Sequence, residues 1–285
     1  MKKMYVLLLV LSVAFCGCGL VKTSRTETSD LKDMVEAEMQ EPRQMPEGVI
    51  IALLDTGVSA KAITSDNLLT GYNYVMDFVD TEDKINHGTA VASVILGCES
   101  AGVEGISPES YVVPLVVATK QDGKMVSVAP SVLAKAVRDS VDIYGADIIN
   151  ISLGIQNDDS ELRAAVEYAC EKGVLVVSAV GNSGAEGKPY YPASYDQVLA
   201  VGSCDENGEE SDFSQAGADV LAPGEDIWLA SRNGVTYGTR GTSYATGFVA
   251  AAAANVLLTD ESIYGQALKE YIISVAEKTG GCIVR

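Results

Sequence analysis

The sequence predicts an α/β fold of three layers, in which a mostly parallel sheet is covered by helices on both faces. Three observations indicate this architecture: short aliphatic runs recur along the chain, amphipathic helical segments alternate with them, and glycines follow those segments. The alternation begins at Val49 and continues without an internal repeat or a second boundary. Residues 48–285 are therefore predicted to form one domain.

Five aliphatic runs are typical of strands that are buried on both faces of a parallel sheet. In chain order they are Val49–Leu54, Tyr111–Val117, Asp147–Ile151, Val174–Val180 and Val198–Val201. Two intervening segments, Ser131–Tyr144 and Ser160–Lys172, repeat apolar residues at helical spacing and predict amphipathic helices. Gly145 and Gly173 follow these segments and predict where the helices end.

The charge balance bears on the partners of the protein. Acidic residues outnumber basic ones by 39 to 20, which gives a formal net charge of −19 with the single histidine neutral. Such a surface repels phosphate groups, so we expect no nucleic-acid partner and no binding to anionic membrane surfaces through charge. The apolar share of 47% indicates a globular chain with a hydrophobic core.

Residues 1–18 have the pattern of an export signal. Lys2 and Lys3 precede an apolar run from Met4 to Phe15, which is short for a bilayer span. The Gly-Cys step that follows resembles a bacterial lipoprotein box with Cys18 as the lipidated residue, although Phe15 stands where an aliphatic residue is usual. We therefore expect an exported protein, either a cell-surface lipoprotein anchored through Cys18 or a secreted protein with an ordinary cleaved signal.

Residues 19–47 are polar and charged and are predicted to form a tether rather than a domain, because the segment is too short to fold alone. A short amphipathic helix is predicted over Asp30–Gln40. Pro42 follows closely and ends it.

Four cysteines lie beyond the signal, at Cys98, Cys170, Cys204 and Cys282. They allow three fully paired disulfide patterns, among which the sequence does not choose. Their spacing suggests no zinc site, and a single histidine adds little to one. Buried thiols are the alternative for most of them.

The triplet Asp55-Thr56-Gly57 ends the first aliphatic run and has two chemical interpretations. In aspartic proteases such a triplet carries one of two carboxylates that share a proton. In another group of proteases an aspartate at the end of a buried strand orients a histidine. The first chemistry needs two such motifs or a dimer of short chains, and no second Asp-Thr-Gly or Asp-Ser-Gly occurs in this long chain.

His87 is the only histidine of the chain. The apolar stretch Ala90–Leu96 after it predicts a helix, so the imidazole is expected at a helix start after a strand-to-helix connection. In α/β folds such connections gather the active-site groups. The alternative is an ordinary surface or core histidine.

Ser243 precedes an alanine-rich, helix-forming run. It is either a helix cap, with Thr242 as the other candidate for that position, or a nucleophile whose hydroxyl lies near the positive end of the helix. Asn182, within Gly181-Asn182-Ser183-Gly184, likewise has two interpretations. It is either a turn residue or a side-chain amide donor to a developing oxyanion.

The order Asp55, His87, Asn182, Ser243 and the blocks around these residues resemble the subtilisin-like serine proteases, the subtilases, from about Val49 onward to Ile273. LLDTGV resembles the aspartate block of that family, NHGTAVA its histidine block and GTSYATG its serine block. NISLG at 150–154, VVSAVGNSG at 176–184 and VLAPGEDI at 220–227 resemble three further stretches. The resemblance implies a subtilisin-like fold and a serine endopeptidase that acts on extended polypeptides.

The resemblance also implies the role of each residue. Ser243 attacks the scissile carbonyl, His87 takes its proton, and Asp55 holds the imidazole. Asn182 and the Ser243 N–H bind the oxyanion. The rival interpretation is a catalytically inactive binding protein on the same fold, against which the intact set of residues argues.

Substrate binding is implied for Ser152, Leu153 and Gly154, whose segment resembles the one that pairs with extended substrate in this family. Tyr190 falls where many relatives have a small residue at the base of the first specificity pocket. We expect Tyr190 to shorten this pocket and to favour small side chains before the cleaved bond, with an alignment slip of one residue as the alternative. A narrow role, such as maturing a co-secreted peptide, fits the small size.

The chain departs from the family pattern at Asn86, Ala90, Gly247 and Phe248. None of these changes removes a catalytic group, but Gly247 replaces a usual proline and leaves the geometry of the serine helix open. Residues 19–47 are also shorter than the pro-domain of many relatives, and serve either as a tether or as a short pro-segment.

No cofactor is required by this chemistry, and no metal ligands are assigned. Many relatives bind calcium in loops, whereas residues 98–105 offer only Glu99 and Glu104 as obvious carboxylates and resemble no dedicated calcium loop. Calcium binding stays open. We expect a monomer whose partner is its polypeptide substrate.

Overall fold

A computed structural model describes residues 45–121, 124–125 and 128–283. The predicted signal at 1–18 with Cys18, most of the predicted tether and its helix at Asp30–Gln40 lie outside these residues. No helix in the described part of the chain is long and apolar enough to cross a membrane.

The described strands and helices alternate along most of the chain. The strands are β1 Ile50–Asp55, β2 Tyr72–Asn73, β3 Gly97–Cys98, β4 Val103–Glu104, β5 Tyr111–Val116, β6 Lys120–Gln121, β7 Lys124–Met125, β8 Ile148–Ile151, β9 Leu175–Ala179, β10 Leu199–Cys204, β11 Val220–Pro223, β12 Ile227–Ala230 and β13 Thr236–Thr239. The helices are α1 His87–Leu96, α2 Pro130–Asp142, α3 Ser160–Glu171, α4 Thr242–Thr259 and α5 Gly265–Lys278, with a 3₁₀ turn at Glu99–Ala101.

Seven strands form one sheet in the order β11-β10-β9-β8-β1-β5-β2. Every neighbouring pair in it is parallel. The five predicted strands correspond to β1, β5, β8, β9 and β10, with ends that differ by at most three residues. The predicted α/β fold is therefore confirmed.

Helices cover both faces of this sheet, which confirms the predicted three layers. On one face, apolar side chains of α1, α4 and α5 join Ile51, Leu53 and Leu199 of the strands in one buried cluster. Helices α2 and α3 pack against each other and against β1 and β9, and their residues do not belong to that cluster. These two helices hence form the opposite layer, and their apolar faces bury Leu133 and Leu162 completely.

The parallel strand order brings three loops to one edge of the sheet. Strands β1, β8 and β9 are neighbours, and the chain leaves their carboxyl ends at Asp55, at Ser152 and just before Asn182. Because all carboxyl ends of a parallel sheet lie at the same edge, side chains that are far apart in sequence meet there.

Candidate active site

Asp55 and His87 form a close pair at this edge, in which Asp55 is buried and His87 is partly buried. Asp55 is the last residue of β1 and His87 the first of α1, and Asp55 Oδ1 lies 2.7 Å from His87 Nδ1. The Thr56 N–H donates to the same oxygen at 2.7 Å. Gly88 makes the approach of α1 to β1 sterically feasible, because a Cβ there would lie 2.2 Å from the carbonyl oxygen of Gly57.

The environment of His87 favours its protonated form. Burial by itself lowers the pKa of His87, but the charge of Asp55, its hydrogen bond and the charge of Asp83 together outweigh that effect and raise the pKa above its ordinary value. The hydrogen bond to Asp55 restrains the orientation of the His87 ring, and the charges of Asp55 and Asp83 both favour the imidazolium. The Oδ2 atom of Asp55 is buried and has no hydrogen-bond partner within the described residues.

A second buried carboxylate, Asp83, supports this pair and was not predicted from the sequence. Its Oδ1 accepts from Thr56 Oγ1 and from the N–H groups of Ile85 and Asn86, at 2.8 to 3.1 Å. Its Oδ2 accepts from the N–H and the hydroxyl of Thr89, at 3.0 and 2.7 Å. Asp83 therefore joins the end of β1 to the first turn of α1, where the Asp55–His87 pair lies.

Ser243 is the second residue of α4 and is almost completely buried. The helix is capped by Gly241, with φ of 153°, so neither Thr242 nor Ser243 is the cap and that sequence-based alternative is wrong. The Ser243 hydroxyl donates to the Ser152 carbonyl oxygen at 2.9 Å, and the Ser152 hydroxyl donates to the Ser243 carbonyl oxygen at 2.8 Å. This reciprocal pair fixes the start of α4 against the end of β8.

Asn182 has a defined amide orientation. Its Oδ1 accepts from the N–H of Thr242 at 2.9 Å and from the Thr242 hydroxyl at 3.1 Å. Because a backbone N–H can only donate, the atom facing it must be the amide oxygen. The Nδ2 group of Asn182 is consequently turned away from Thr242.

One cleft of about 450 Å³ collects nearly all of the predicted site residues. It is lined by His87, Ser152, Leu153, Gly154, Asn182, Tyr190 and Ser243, among others. Asp55 lies behind His87 rather than on the cleft wall.

Tyr190 lines the cleft between Gly154 and Ser183. A Cβ atom on Gly154 would lie 2.8 Å from the Tyr190 Cβ, so the two residues pack directly against each other. The Tyr190 hydroxyl lies 3.3 Å from Ser183 Oγ. The side chain is therefore held across the cleft by packing at its base and a hydrogen bond at its tip.

Two departures from the family pattern have local physical explanations. Asn86 has φ of 82°, a left-handed conformation that asparagine tolerates better than most residues, and its Oδ1 accepts from the Arg232 N–H. Gly247 lies inside α4, which is continuous from Thr242 to Thr259. A Cβ on Gly247 would lie 3.0 Å from Val91 Cγ1, so glycine allows α4 to pack closely on α1.

Within the residues that the structure describes, no group of three or more His, Cys, Asp or Glu side chains could hold a metal ion.

Two of the cysteines have defined surroundings. The Cys98 thiol donates to the carbonyl oxygen of Ala62. Burial raises the pKa of Cys170 to about 11.

Comparisons with known proteins identify the family to which this chain belongs. The subtilase family model matches residues 46–284. Subtilisin Savinase from Lederbergia lenta is 36% identical over 239 residues, which cover 82% of this chain and 85% of that protein. An alkaline protease from Alkalihalobacillus alcalophilus is also 36% identical over 239 residues, and there the match covers 60% of its length.

Solved structures of two proteases are similar to this chain. The S41 psychrophilic protease has a TM-score of 0.72 and 28% identity, with 80% of this chain and 83% of that chain covered. The prenylagaramide maturation protease PagA has a TM-score of 0.63 and 30% identity, with 89% and 83% covered. Since the family model spans almost all described residues and relatives exceed 30% identity over four fifths of the chain, this chain belongs to the subtilase family of serine endopeptidases.

Proposed function

We propose that the protein is an exported endopeptidase that cleaves extended polypeptides with Ser243 as nucleophile, His87 as general base and Asp55 as the residue that orients the imidazole. The observation that carries this proposal is the 2.7 Å contact between Asp55 Oδ1 and His87 Nδ1, with His87 and Ser243 on one cleft. The contact uses Nδ1, which leaves Nε2 as the ring nitrogen that accepts the serine proton.

The first chemical step is attack by Ser243 Oγ on the scissile carbonyl carbon. In the unliganded protein this hydroxyl donates to the Ser152 carbonyl oxygen, so a rotation about the Ser243 Cα–Cβ bond has to redirect it to His87. Hydrogen bonds of this kind are often formed only in the substrate complex. His87 then returns the proton to the leaving amine, and the carboxylate of Asp55 stabilises the imidazolium between the two transfers.

Oxyanion stabilisation is assigned to Asn182 and the backbone N–H of Ser243. Thr242 holds the Asn182 amide oxygen, which presents the Nδ2 donor on the other side of the amide. A donor fixed in advance costs no reorganisation when negative charge develops on the substrate oxygen.

Substrate is held along Ser152, Leu153 and Gly154, where an extended peptide can pair with the backbone. Tyr190 packs on Gly154 and crosses the cleft. We therefore assign to Tyr190 the limit on side-chain size before the cleaved bond, so that small residues are preferred.

The pattern of residues 1–18 supports export, with Cys18 as the site of lipid attachment. Maturation of a secreted peptide is the proposed physiological role, and the likeness to the prenylagaramide maturation protease PagA supports it.

A fluorophosphonate probe tests the central assignment, because it labels only an activated serine. The full chain and its Ser243→Ala variant are incubated with the probe, and the labelled peptide is identified by mass spectrometry. Label on Ser243 alone supports the proposed triad. A folded wild-type chain without label, both before and after removal of residues 19–47, would instead indicate an inactive binding protein.

A further inference from the structure

Two cysteines from distant parts of the chain meet at one side of the sheet. Cys204 ends β10, and Cys282 follows α5 in the C-terminal segment. Both residues are buried, and their Sγ atoms lie 2.7 Å apart. Sulfur atoms in simple van der Waals contact stay farther apart than this, whereas a disulfide bond is about 2.05 Å long.

The backbone positions Cys282 independently of the sulfur contact. The Leu221 N–H donates to the Gly281 carbonyl oxygen, and the Ile283 N–H donates to the Leu221 carbonyl oxygen, at 2.9 and 3.0 Å. The Thr279 hydroxyl also donates to the carbonyl oxygen of Cys282 at 2.6 Å. The C-terminal segment thus binds to β11, and this brings Cys282 to Cys204.

We propose that Cys204 and Cys282 form a disulfide bond in the mature protein. The two residues are 78 positions apart, and the loop that the bond closes contains β11, the β12–β13 hairpin, α5 and the whole of α4 with Ser243. The bond therefore fastens both ends of the segment that carries the nucleophile. This proposal rests on the export part of the proposed function for its oxidising compartment, and not on proteolysis.

The bond forms by oxidation of two thiols by a small or protein disulfide. One cysteine thiolate attacks a sulfur of the oxidant, for example oxidised glutathione, and releases the first glutathione thiolate. The second cysteine thiolate then attacks the protein sulfur of this mixed disulfide and releases the second. The two protons of the cysteines end on the two glutathione thiols, so the protein loses two electrons and the oxidant gains them.

The other two cysteines of the domain serve as internal controls. The Cys98 Sγ atom lies 3.1 Å from the Ala62 carbonyl oxygen. Cys170 lies in α3 near Gln197, and its raised pKa makes its thiol a weak nucleophile at neutral pH. Neither contact brings these thiols to Cys204 or Cys282.

Peptide mapping tests the bond directly. The full chain with Ser243→Ala, which excludes self-cleavage, is incubated with a mixture of reduced and oxidised glutathione, unfolded without reductant, alkylated and digested with pepsin at low pH. We expect one linked pair of peptides that joins Cys204 to Cys282, with Cys98 and Cys170 alkylated. Alkylation of Cys204 and Cys282 in this experiment would overturn the proposal.

Thermal unfolding supplies a second test in the same Ser243→Ala background. Reductant should lower the Tm of the oxidised protein by about 5 to 15 °C, and the Cys204→Ser/Cys282→Ser variant should have the lower Tm with or without reductant. The Cys170→Ser variant is the matched control and should respond to reductant as the parent does. A parent Tm that reductant leaves unchanged contradicts the proposal, even where the double variant fails to fold.

The two proposals fail in distinguishable ways. If the Cys204–Cys282 bond is absent, no linked peptide is found, but the fluorophosphonate probe still labels Ser243. If Ser243 is not an activated nucleophile, the probe does not label it, but the linked peptide is still found, because the mapping uses the Ser243→Ala chain.

Discussion

At the residue scale, the two hydrogen bonds from Thr242 to Asn182 Oδ1 define what a substitution at Asn182 removes. We expect Asn182→Ala to lower kcat about 100- to 1000-fold, the magnitude known for the corresponding donor in subtilisin, with little change in KM. The reason is that the Nδ2 donor acts on the oxyanion and not on the ground-state substrate. Steady-state kinetics on a peptide substrate measures this, with Ser183→Ala on the same loop as control. A kcat within threefold of wild type would remove Asn182 from the mechanism.

His87 is the only histidine of the chain, so its titration can be followed by a single imidazole signal in NMR spectra. Since Asp55 and Asp83 raise its pKa, we expect the Ser243→Ala variant to titrate above the ordinary value of about 6.5, and Asp55→Asn to lower that pKa. As the pH falls below this pKa, kcat/KM should decrease, because only neutral imidazole accepts the serine proton. A pKa at or below about 6.5 in the Ser243→Ala variant, or a pKa that Asp55→Asn leaves unchanged, would contradict the electrostatic coupling.

The same shift sets the sign of a stability effect. The folded-state pKa of His87 lies above the unfolded-state value, so the folded protein binds this proton more tightly. The stabilising contribution is fully present below about pH 6.5 and is lost as the pH rises through the folded-state pKa.

Tyr190 crosses the cleft against Gly154. We expect Tyr190→Gly to widen the specificity pocket, so that cleavage after large apolar residues increases relative to cleavage after alanine. Cleavage of a peptide library, analysed by mass spectrometry, measures the profile. Tyr190→Phe keeps the ring and should retain the wild-type profile, and an unchanged profile in the glycine variant would rule out this assignment.

At the element scale, Asp83 joins the end of β1 to the start of α1 through five donors. Asp83→Asn places an NH₂ group against donors and leaves buried N–H groups without acceptors. We expect the free energy of unfolding to fall by about 3 kcal/mol, as for other buried hydrogen-bonded carboxylates that lose their partners.

Chemical denaturation of the Asp83→Asn variant checks this prediction in the Ser243→Ala background. Asp80→Asn is the matched control, since Asp80 is exposed and, among the described residues, its carboxylate accepts only from the Glu82 N–H, in an exposed hydrogen bond of 3.0 Å, and lies 3.7 Å from Lys84 Nζ. Equal stability of the two variants would mean that Asp83 does not hold β1 and α1 together.

Elements with a strong aliphatic or amphipathic pattern could be predicted from the sequence. Strands β1, β5, β8 and β9 and helices α2 and α3 were found because they are buried on one or both faces in a regular pattern. Strand β11 has alternating burial and ends in Pro223, and β2 has only two residues. Too few side chains of these strands follow a pattern for periodicity to reveal them.

Site residues divide in the same way. Asp55, His87, Asn182 and Ser243 lie in blocks that resemble the family, whereas their meeting at one edge of the sheet depends on the order β1-β8-β9, which no local pattern contains. Asp83 was missed because its five donors come from residues 56 to 89, and a carboxylate among charged neighbours looks like a solvated loop residue.

At the scale of the whole molecule, the net charge of −19 is concentrated in part next to the serine helix. The Gly241 N–H, at the cap of that helix, donates to the Gly224 carbonyl oxygen at 2.7 Å. Glu225, which follows Gly224 in the sequence, lines a surface depression of about 420 Å³. The other lining residues are Asp205, Glu206, Glu209, Glu210, Ser211, Asp212 and Asp226. Glu225 and Asp226 therefore place negative charge beside the start of α4, and we expect their field to act on substrates that approach Ser243.

This field should select substrates by charge through their association rate. We expect kcat/KM for a peptide flanked by lysines to fall several-fold as ionic strength rises from about 0.01 to 0.15 M, because the Debye length shortens from about 30 to 8 Å. A peptide with the same cleavage sequence flanked by serines should show almost no salt dependence, and one flanked by glutamates should show the opposite trend. Equal salt dependence for all three peptides would mean that the acidic surface acts on solubility alone, and that backbone pairing and the Tyr190 pocket determine the choice of substrate.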